Sequence, residues 1–390
     1  MVRWRMIPWV AVCVAALLLG AWGLTPASAK VEGKEILIGG LYPVTGLGAE
    51  WGEFGLAGTQ IAIEEINKAG GINGVPLRLI HYDYESKTAP SIALAKKLAT
   101  RDKVLMITGP CFSSACEVVF PLLDQMKIVA VSYCSSAPGL SALSTWAFRN
   151  TLTSDKQLDT AMKQWVKMYN VKKAVILYNS ADKVSTSEGR DLLPVLFKKH
   201  NVQLLDSLTF QSGTLDFAAY ITKVKGLNPD GIGIGSCYQE GANIMREARK
   251  QGLKAAFIGG ACNTSPDLIR LGGTAAEGYV GSTAAWLEDP RPKVQAFVKK
   301  VIERTGGRRP NYGGFRAYDN IYIIKKIIEE QGVTNKPEDL EKDREKMKKG
   351  WASLKNFDGV SGITTMDEVG DGIGEAVALI VRNGKYEKIE

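Results

Sequence analysis

Val104-Leu105-Met106-Ile107-Thr108, followed at once by Gly109-Pro110-Cys111-Phe112-Ser113-Ser114, changes character at a single residue, Gly109. The first five residues form a continuous apolar run, which is how a strand of a parallel sheet reads when both its faces are covered. The loop after it leads into Ala115 to Met126, a stretch of helical length. Strand, polar loop and helix make the repeating unit of an open α/β sheet, and ligands of such sheets lie beyond the carboxyl ends of the strands.

The unit recurs on both sides of this stretch. Upstream, Ile36 to Leu41 and Pro76 to Tyr82 read as strands, with helices expected over Trp51 to Ala69, stopped by Gly70-Gly71, and over Pro90 to Arg101. Ile128 to Val131 is a fourth strand, ending in Ser132-Tyr133-Cys134-Ser135-Ser136-Ala137-Pro138. The rhythm restarts after Arg149-Asn150. Strands are expected at Ala174 to Tyr178, Gln203 to Phe210, Gly231 to Gly235 and Ala256 to Ile258, separated by helices over Asp155 to Tyr169, Ser187 to His200, Asp216 to Gly226 and Gln239 to Gln251. A further strand near Tyr279 to Thr283 precedes helices at Pro292 to Thr305 and Arg316 to Gln331. The stretch Lys336 to Lys349 mixes both signs of charge and reads as a solvated helix face. Ala376 to Val381 and Tyr386 to Ile389 flank Asn383-Gly384, a hairpin signal. The fold class is therefore α/β, with two similar Rossmann-like modules in one chain.

The 390 residues, 45% apolar and 23% charged, fit two or three ordinary domains and exclude a disordered or fibrous chain. Residues 1–29 carry Arg3 and Arg5, an apolar stretch from Trp9 to Leu19 and the small-residue end Ala27-Ser28-Ala29, the three-part pattern of a cleavable signal peptide. The apolar stretch falls short of the roughly 20 residues of a spanning helix. Removing it leaves 47 basic and 41 acidic residues, a net charge of +6, scattered rather than clustered with aromatics, so no nucleic-acid partner is expected. Five cysteines remain, Cys111, Cys116, Cys134, Cys237 and Cys262, an odd number that leaves at least one thiol over or joins two chains. Without a paired C-x2-C or a nearby histidine they do not make a metal site.

Catalytic and cofactor readings fail on the residues. Gly46-Leu47-Gly48 begins a G-x-G-x-x-G, but Trp51 occupies its third glycine position. No phosphate-binding G-x-x-x-x-G-K-[ST] and no G-x-S-x-G elbow exists, and the two histidines, His81 and His200, fall in a strand and at a helix end. Neither a cofactor nor a catalytic residue is assigned, and the chain is expected not to be an enzyme. Binding remains. Ser113 and Ser114, then Ser135 and Ser136, stand at adjacent strand ends, where hydroxyls and free N–H groups suit an anionic group or simply cap helices. Tyr238 and Glu240 follow the strand end at Ser236, with Glu240 either capping its helix or accepting hydrogen bonds from a ligand cation.

Ile36-Leu37-Ile38-Gly39-Gly40-Leu41-Tyr42-Pro43-Val44-Thr45-Gly46, Trp51-Gly52, Ile63-Glu64-Glu65-Ile66-Asn67, Gly70-Gly71-Ile72-Asn73-Gly74, Arg246 to Gly252 and Ala276-Glu277-Gly278 occur in order along the chain. With the two serine pairs they resemble the periplasmic substrate-binding proteins of ABC transporters, in the leucine-binding, branched-chain amino-acid family. The resemblance implies a type I periplasmic binding protein with two lobes joined by a three-crossing hinge. Residues 30–150 with about 280–345 would form one lobe, and 151–279 with about 346–390 the other. It implies a monomer in the periplasm that captures an amino acid between the lobes and passes it to a membrane permease. Ser113 or Ser114, with Ser135 and Ser136, would hold the α-carboxylate, Glu240 the α-ammonium, and Trp51 would line the cleft. An aromatic or aliphatic carboxylic acid without an ammonium group is the alternative ligand, and a ligand-sensing module the alternative role. Three departures stand out: an extra residue around Phe112, a tyrosine replaced near Thr186, and Ser86 where a first-lobe cysteine is usual. Cys111 with Cys134 and Cys237 with Cys262 each follow adjacent parallel strands and are expected to bridge, leaving Cys116 free.

Overall fold

The computed structural model describes residues 30–390, so the leader expected over residues 1–29 lies outside the described residues. β1 (Ile36–Tyr42), β2 (Leu77–Asp83), β3 (Ile107–Thr108), β4 (Ala130–Ser132) and β5 (Ala147–Arg149) form a parallel sheet in the order β2-β1-β3-β4-β5. The helix Ala49–Lys68 returns from β1 and buries Trp51, Phe54, Ile61 and Ile66. β5 was not legible in the sequence: three residues are too short to show a period. The helix expected over Ala115 to Met126 is broken into Ser113–Val119, a 3-10 turn at Phe120–Leu122 and Leu123–Met126, because Pro121 lacks the N–H an unbroken helix would use.

β6 (Lys173–Asn179), β7 (Gln203–Phe210), β8 (Gly231–Gly235), β9 (Ala256–Gly259) and β10 (Val280–Thr283) build a second parallel sheet in the order β10-β9-β8-β6-β7. β11 (Phe357–Gly359), β12 (Gly362–Met366) and β13 (Gly372–Ile373) make a small antiparallel sheet. β14 (Val377–Arg382) and β15 (Lys385–Lys388) then extend the β10 edge as the expected hairpin, with Asn383 and Gly384 both at positive φ. The two sheets are the cores of two α/β lobes.

Two boundaries differ from the sequence reading. The residues from 280 were placed in the first lobe, but β10 pairs with β9 and β14 and so belongs to the second sheet. The change of lobe near 345 falls inside the helix Leu340–Ala352, which stays on the first lobe throughout. Its Arg344 donates to the carbonyls of Ala99 and Val104, and Trp351 packs beside Phe148. That helix is therefore not simply a solvated face: Asp343, Arg344, Met347 and Trp351 are buried.

The chain crosses between the lobes three times, and the crossings are tied together by buried polar groups. Arg316, on the helix Tyr312–Gln331, reaches one group in each: Asn150 Oδ1 at 3.2 Å, Ala284 O at 2.7 Å and Thr364 Oγ1 at 2.9 Å. Beside them Arg149 makes a two-pronged pair with Asp371, Nε–Oδ1 and Nη2–Oδ2 both 2.7 Å, and also donates to the carbonyls of Ser135 and Ala137. Arg149 uses all three guanidinium nitrogens in this way, whereas Arg316 bonds through Nη1 and Nη2 and leaves its buried Nε without a partner.

Candidate functional site

The cleft between the lobes is built from loops at the carboxyl ends of β3, β4, β8 and β9. Gly109 turns the chain out of β3 at φ +102°, and a Cβ there would lie 2.3 Å from Leu41 O, so only glycine fits. The loop it opens is joined to the loop after β4 by a Cys111–Cys134 disulfide with Cα atoms 5.1 Å apart. In the second lobe Cys237–Cys262 joins the loops after β8 and β9, Cα atoms 4.7 Å apart, and Cys116 is left free and buried. Both distances lie within the span a disulfide bridges. Where one first-lobe cysteine is usual, Ser86 Oγ accepts from Gly48 N at 3.1 Å and donates to Thr45 O at 2.9 Å.

Four of the expected residues meet in one inner cavity. Trp51, Ser113, Ser135 and Ser136 line it with Phe112 and Tyr312, opposite Val184 and Cys262 of the second lobe. Ser113 Oγ lies 3.1 Å from Ser135 Oγ and accepts from Ala137 N at 3.2 Å, and Ser154 Oγ lies 3.0 Å from Ser136 Oγ. The Trp51 ring meets Tyr312 edge-on at 4.9 Å, and its indole N–H is buried without a partner. The lobes are closed: the cavity is about 10 Å³, room for roughly one water.

The other three stand elsewhere. Ser114 Oγ donates to Asp182 Oδ1 at 2.9 Å and accepts from Lys183 N at 3.0 Å, which makes it a bond across the mouth of the cleft, reinforced by a Lys183–Glu117 ion pair at 2.5 Å. Glu240 lies in a separate mouth pocket of about 100 Å³ with Ser114, Asn179 and Asp182, and Phe112 forms a wall of both this pocket and the inner cavity. Its carboxylate accepts from Asn179 Nδ2 at 3.1 and 3.3 Å and from Gly213 N at 3.0 Å. Burial raises its pKa while those hydrogen bonds pull it back. The structure therefore places Glu240 with Ser114 and apart from Ser113, Ser135 and Ser136. Tyr238 lies in neither space; it is buried, and its hydroxyl reaches Leu47 O across the lobes at 3.5 Å.

Two buried carboxyls at the lobe interface were not singled out from the sequence. Glu50 precedes Trp51 and accepts from Asn311 Nδ2 at 3.1 Å and from Ser265 of the other lobe. Burial, then the charge of Asp267, pushes its pKa up to about 8. Glu188 follows Thr186-Ser187 in the segment Ser187–Leu192 and accepts from Ser154 Oγ at 3.1 Å. Burial, against that hydrogen bond, pushes its pKa up to about 8 as well, and its Oε2 has no partner. The sequence carries one weak signal for each: an acidic residue in the first turn of a helix, which reads equally as a cap.

Among the described residues no helix is long and apolar enough to cross a membrane. The leucine-, isoleucine-, valine-, threonine- and alanine-binding protein of Pseudomonas aeruginosa is 27% identical over 355 residues, covering 88% of this chain and 89% of that protein. Among solved structures, a branched-chain amino acid transporter substrate-binding protein of Streptococcus pneumoniae in complex with isoleucine matches with TM-score 0.81 and 24% identity, over 91% of this chain and 98% of the other. An ABC-transporter solute-binding protein of Rhodopseudomonas palustris in complex with 3,4-dihydroxybenzoic acid matches with TM-score 0.80 and 19% identity, over 92% and 96%. The family model for periplasmic binding proteins matches residues 35–382, nearly the whole described chain. With both lobes, the hinge and the cleft accounted for by one continuous match, the chain belongs to the periplasmic binding protein family, a family of solute-binding transport proteins.

Proposed function

We propose that this chain is the exported receptor of an ABC importer, capturing an amino acid with an apolar side chain in the interlobe cleft and presenting it to a membrane permease. The observation that carries this reading is the inner cavity: the hydrogen-bonded hydroxyls of Ser113 and Ser135 with Ser136 beside them on the first lobe, bounded by Trp51, Phe112 and Tyr312 and covered by the second lobe. Neutral hydroxyls on a wall of rings and disulfides suit a carboxylate attached to an apolar body. The leader over residues 1–29 supplies the export step. No bond is made or broken: a solute that touches both lobes binds the closed form more tightly than the open one and shifts the equilibrium toward it.

A second reading has its own support. The rings of Trp51, Phe112 and Tyr312 surround the serines, Glu240 stands apart from them, and a structural neighbour holds 3,4-dihydroxybenzoic acid. An aromatic carboxylic acid satisfies the same wall. A thermal-shift screen of the mature protein against the common amino acids and a set of benzoates decides between them. A ligand at about 100 times its dissociation constant adds about 2.7 kcal/mol to the stability. Stabilisation by leucine-like or phenylalanine-like amino acids is the expected result; stabilisation by benzoates alone selects the second reading, and no response to either class removes both.

A further inference from the structure

Glu188 is fully buried, and its Oε2 is one of the few buried oxygens among the described residues with no hydrogen-bond partner. Its surroundings are the inner cavity's own walls. Val184, one helical turn before it, lines that cavity, as does Cys262, two residues beyond Gly260. Gly260 leaves the space its carboxyl fills, since a Cβ there would fall 2.0 Å from Oε1 and 2.2 Å from Oε2. On the opposite side the Ser154 hydroxyl stands between Glu188 Oε1, at 3.1 Å, and Ser136 Oγ, at 3.0 Å. A single hydroxyl therefore separates a carboxylate-binding serine from an unsatisfied carboxyl. The two charged ends of an α-amino acid are themselves only about one hydrogen-bond length apart. Glu240 offers no such pairing, because Asn179 and Gly213 occupy its oxygens and Phe112 stands between its pocket and the serines.

We infer that Glu188 is the specificity-determining residue of the cleft: it takes the ammonium of an α-amino acid whose carboxylate rests on Ser113, Ser135 and Ser136, so the site rejects acids lacking nitrogen. This rests on the reading of the cleft as the solute site and names the ligand class within it. The charged and titratable groups around Glu188 are Asp182 from its own side, which disfavours its charged form, and Tyr279, just before β10, and Tyr312, on the helix Tyr312–Gln331, whose ionisation its charge would oppose. A bound ammonium supplies the missing positive charge and drives the carboxyl proton off, so capture near pH 7 releases a proton.

The test is isothermal calorimetry of the mature protein with L-leucine and L-phenylalanine and with their nitrogen-free counterparts, 4-methylpentanoate and 3-phenylpropanoate, at pH 7 in phosphate and in Tris. The wild type is expected to bind an amino acid at least about 100-fold more tightly than its counterpart and to release about one proton. Glu188→Gln should lose that preference and the proton release, while Glu240→Gln stays within about threefold of wild type. Should Glu188→Gln fail to fold, the wild-type preference and proton release still decide. An amino acid bound without proton release, or equally well by Glu188→Gln, overturns the inference and leaves the solute-binding reading intact. Preference for the nitrogen-free acids overturns the inference and selects the second reading. Binding of none of the four overturns both.

Discussion

The two walls of the cleft are made of the same parts to different ends. Each consists of the loops after two adjacent parallel strands, tied by a disulfide, Cys111–Cys134 across a separation of 23 residues and Cys237–Cys262 across 25. The first wall presents neutral hydroxyls that hydrogen-bond to one another, Ser113 to Ser135, beside Ser136. The second lobe carries acids: Asp182 and Glu240 at the mouth, and Glu188 buried between Gly260 and Ser154. Neutral donors are cheap to leave facing a nearly dry cavity, whereas a carboxyl there needs a partner or holds its proton. If Glu188 takes a ligand's ammonium, the first wall is finished before a ligand arrives and the second is completed by one.

The largest expected effect comes from breaking what both walls share. Arg149 pairs with Asp371 between crossings and also holds the carbonyls of Ser135 and Ala137. Arg149→Met leaves Asp371 buried and unpaired, so a loss of about 3–5 kcal/mol in urea denaturation is expected, together with weaker ligand binding. A loss below about 1 kcal/mol would mean that the pair does not organise the hinge. The disulfides come next. By the chain-entropy account each contributes about 3 kcal/mol, so Cys111→Ser with Cys134→Ser and Cys237→Ser with Cys262→Ser should destabilise the protein about equally. Binding should separate them. The first pair positions Ser113 against Ser135 and its loss should weaken capture at least tenfold, while loss of the second should cost only a few-fold. Equal losses of affinity, measured by calorimetry, would erase the distinction between the walls.

The same contrast explains what the sequence made legible. The strands before the serine loops are unbroken apolar runs whose carboxyl ends open toward the cleft, so Ser113, Ser135 and Ser136 could be picked out between Val104 and Pro138, although Ser114 goes to the mouth and Ser132 bonds to Cys111 O. The acids of the second wall could not. Glu240 and Glu188 are both acids near the start of a helical segment, and only the fold decides that Asn179 and Gly213 reach one while Ser154 and the Ala261 backbone reach the other and leave its Oε2 open. Lobe boundaries failed for a related reason: β10 has the same local pattern whichever sheet it joins, and its pairing with β14 is set by residues about 100 positions later.

The smallest effect concerns the serine whose position the sequence left open. Ser114 gives its hydroxyl to Asp182 and receives Lys183 N, so in the closed protein it serves the lobe-to-lobe contact and not the inner cavity. Ser114→Ala removes two hydrogen bonds that exist only when the lobes are shut, a change of about 1 kcal/mol that raises the open population and with it the rate of ligand release. The affinity should fall only about two- to fivefold, and the unfolding midpoint should hardly move. The nearby Lys183–Glu117 pair, with side chains 36% and 46% exposed, adds little to this. Ser113→Ala behaves differently, because it removes a group of the finished wall and should lower affinity at least tenfold without speeding opening. Stopped-flow release rates for the two variants separate a latch from a ligand contact, and a loss of fiftyfold or more for Ser114→Ala would return that serine to the binding wall.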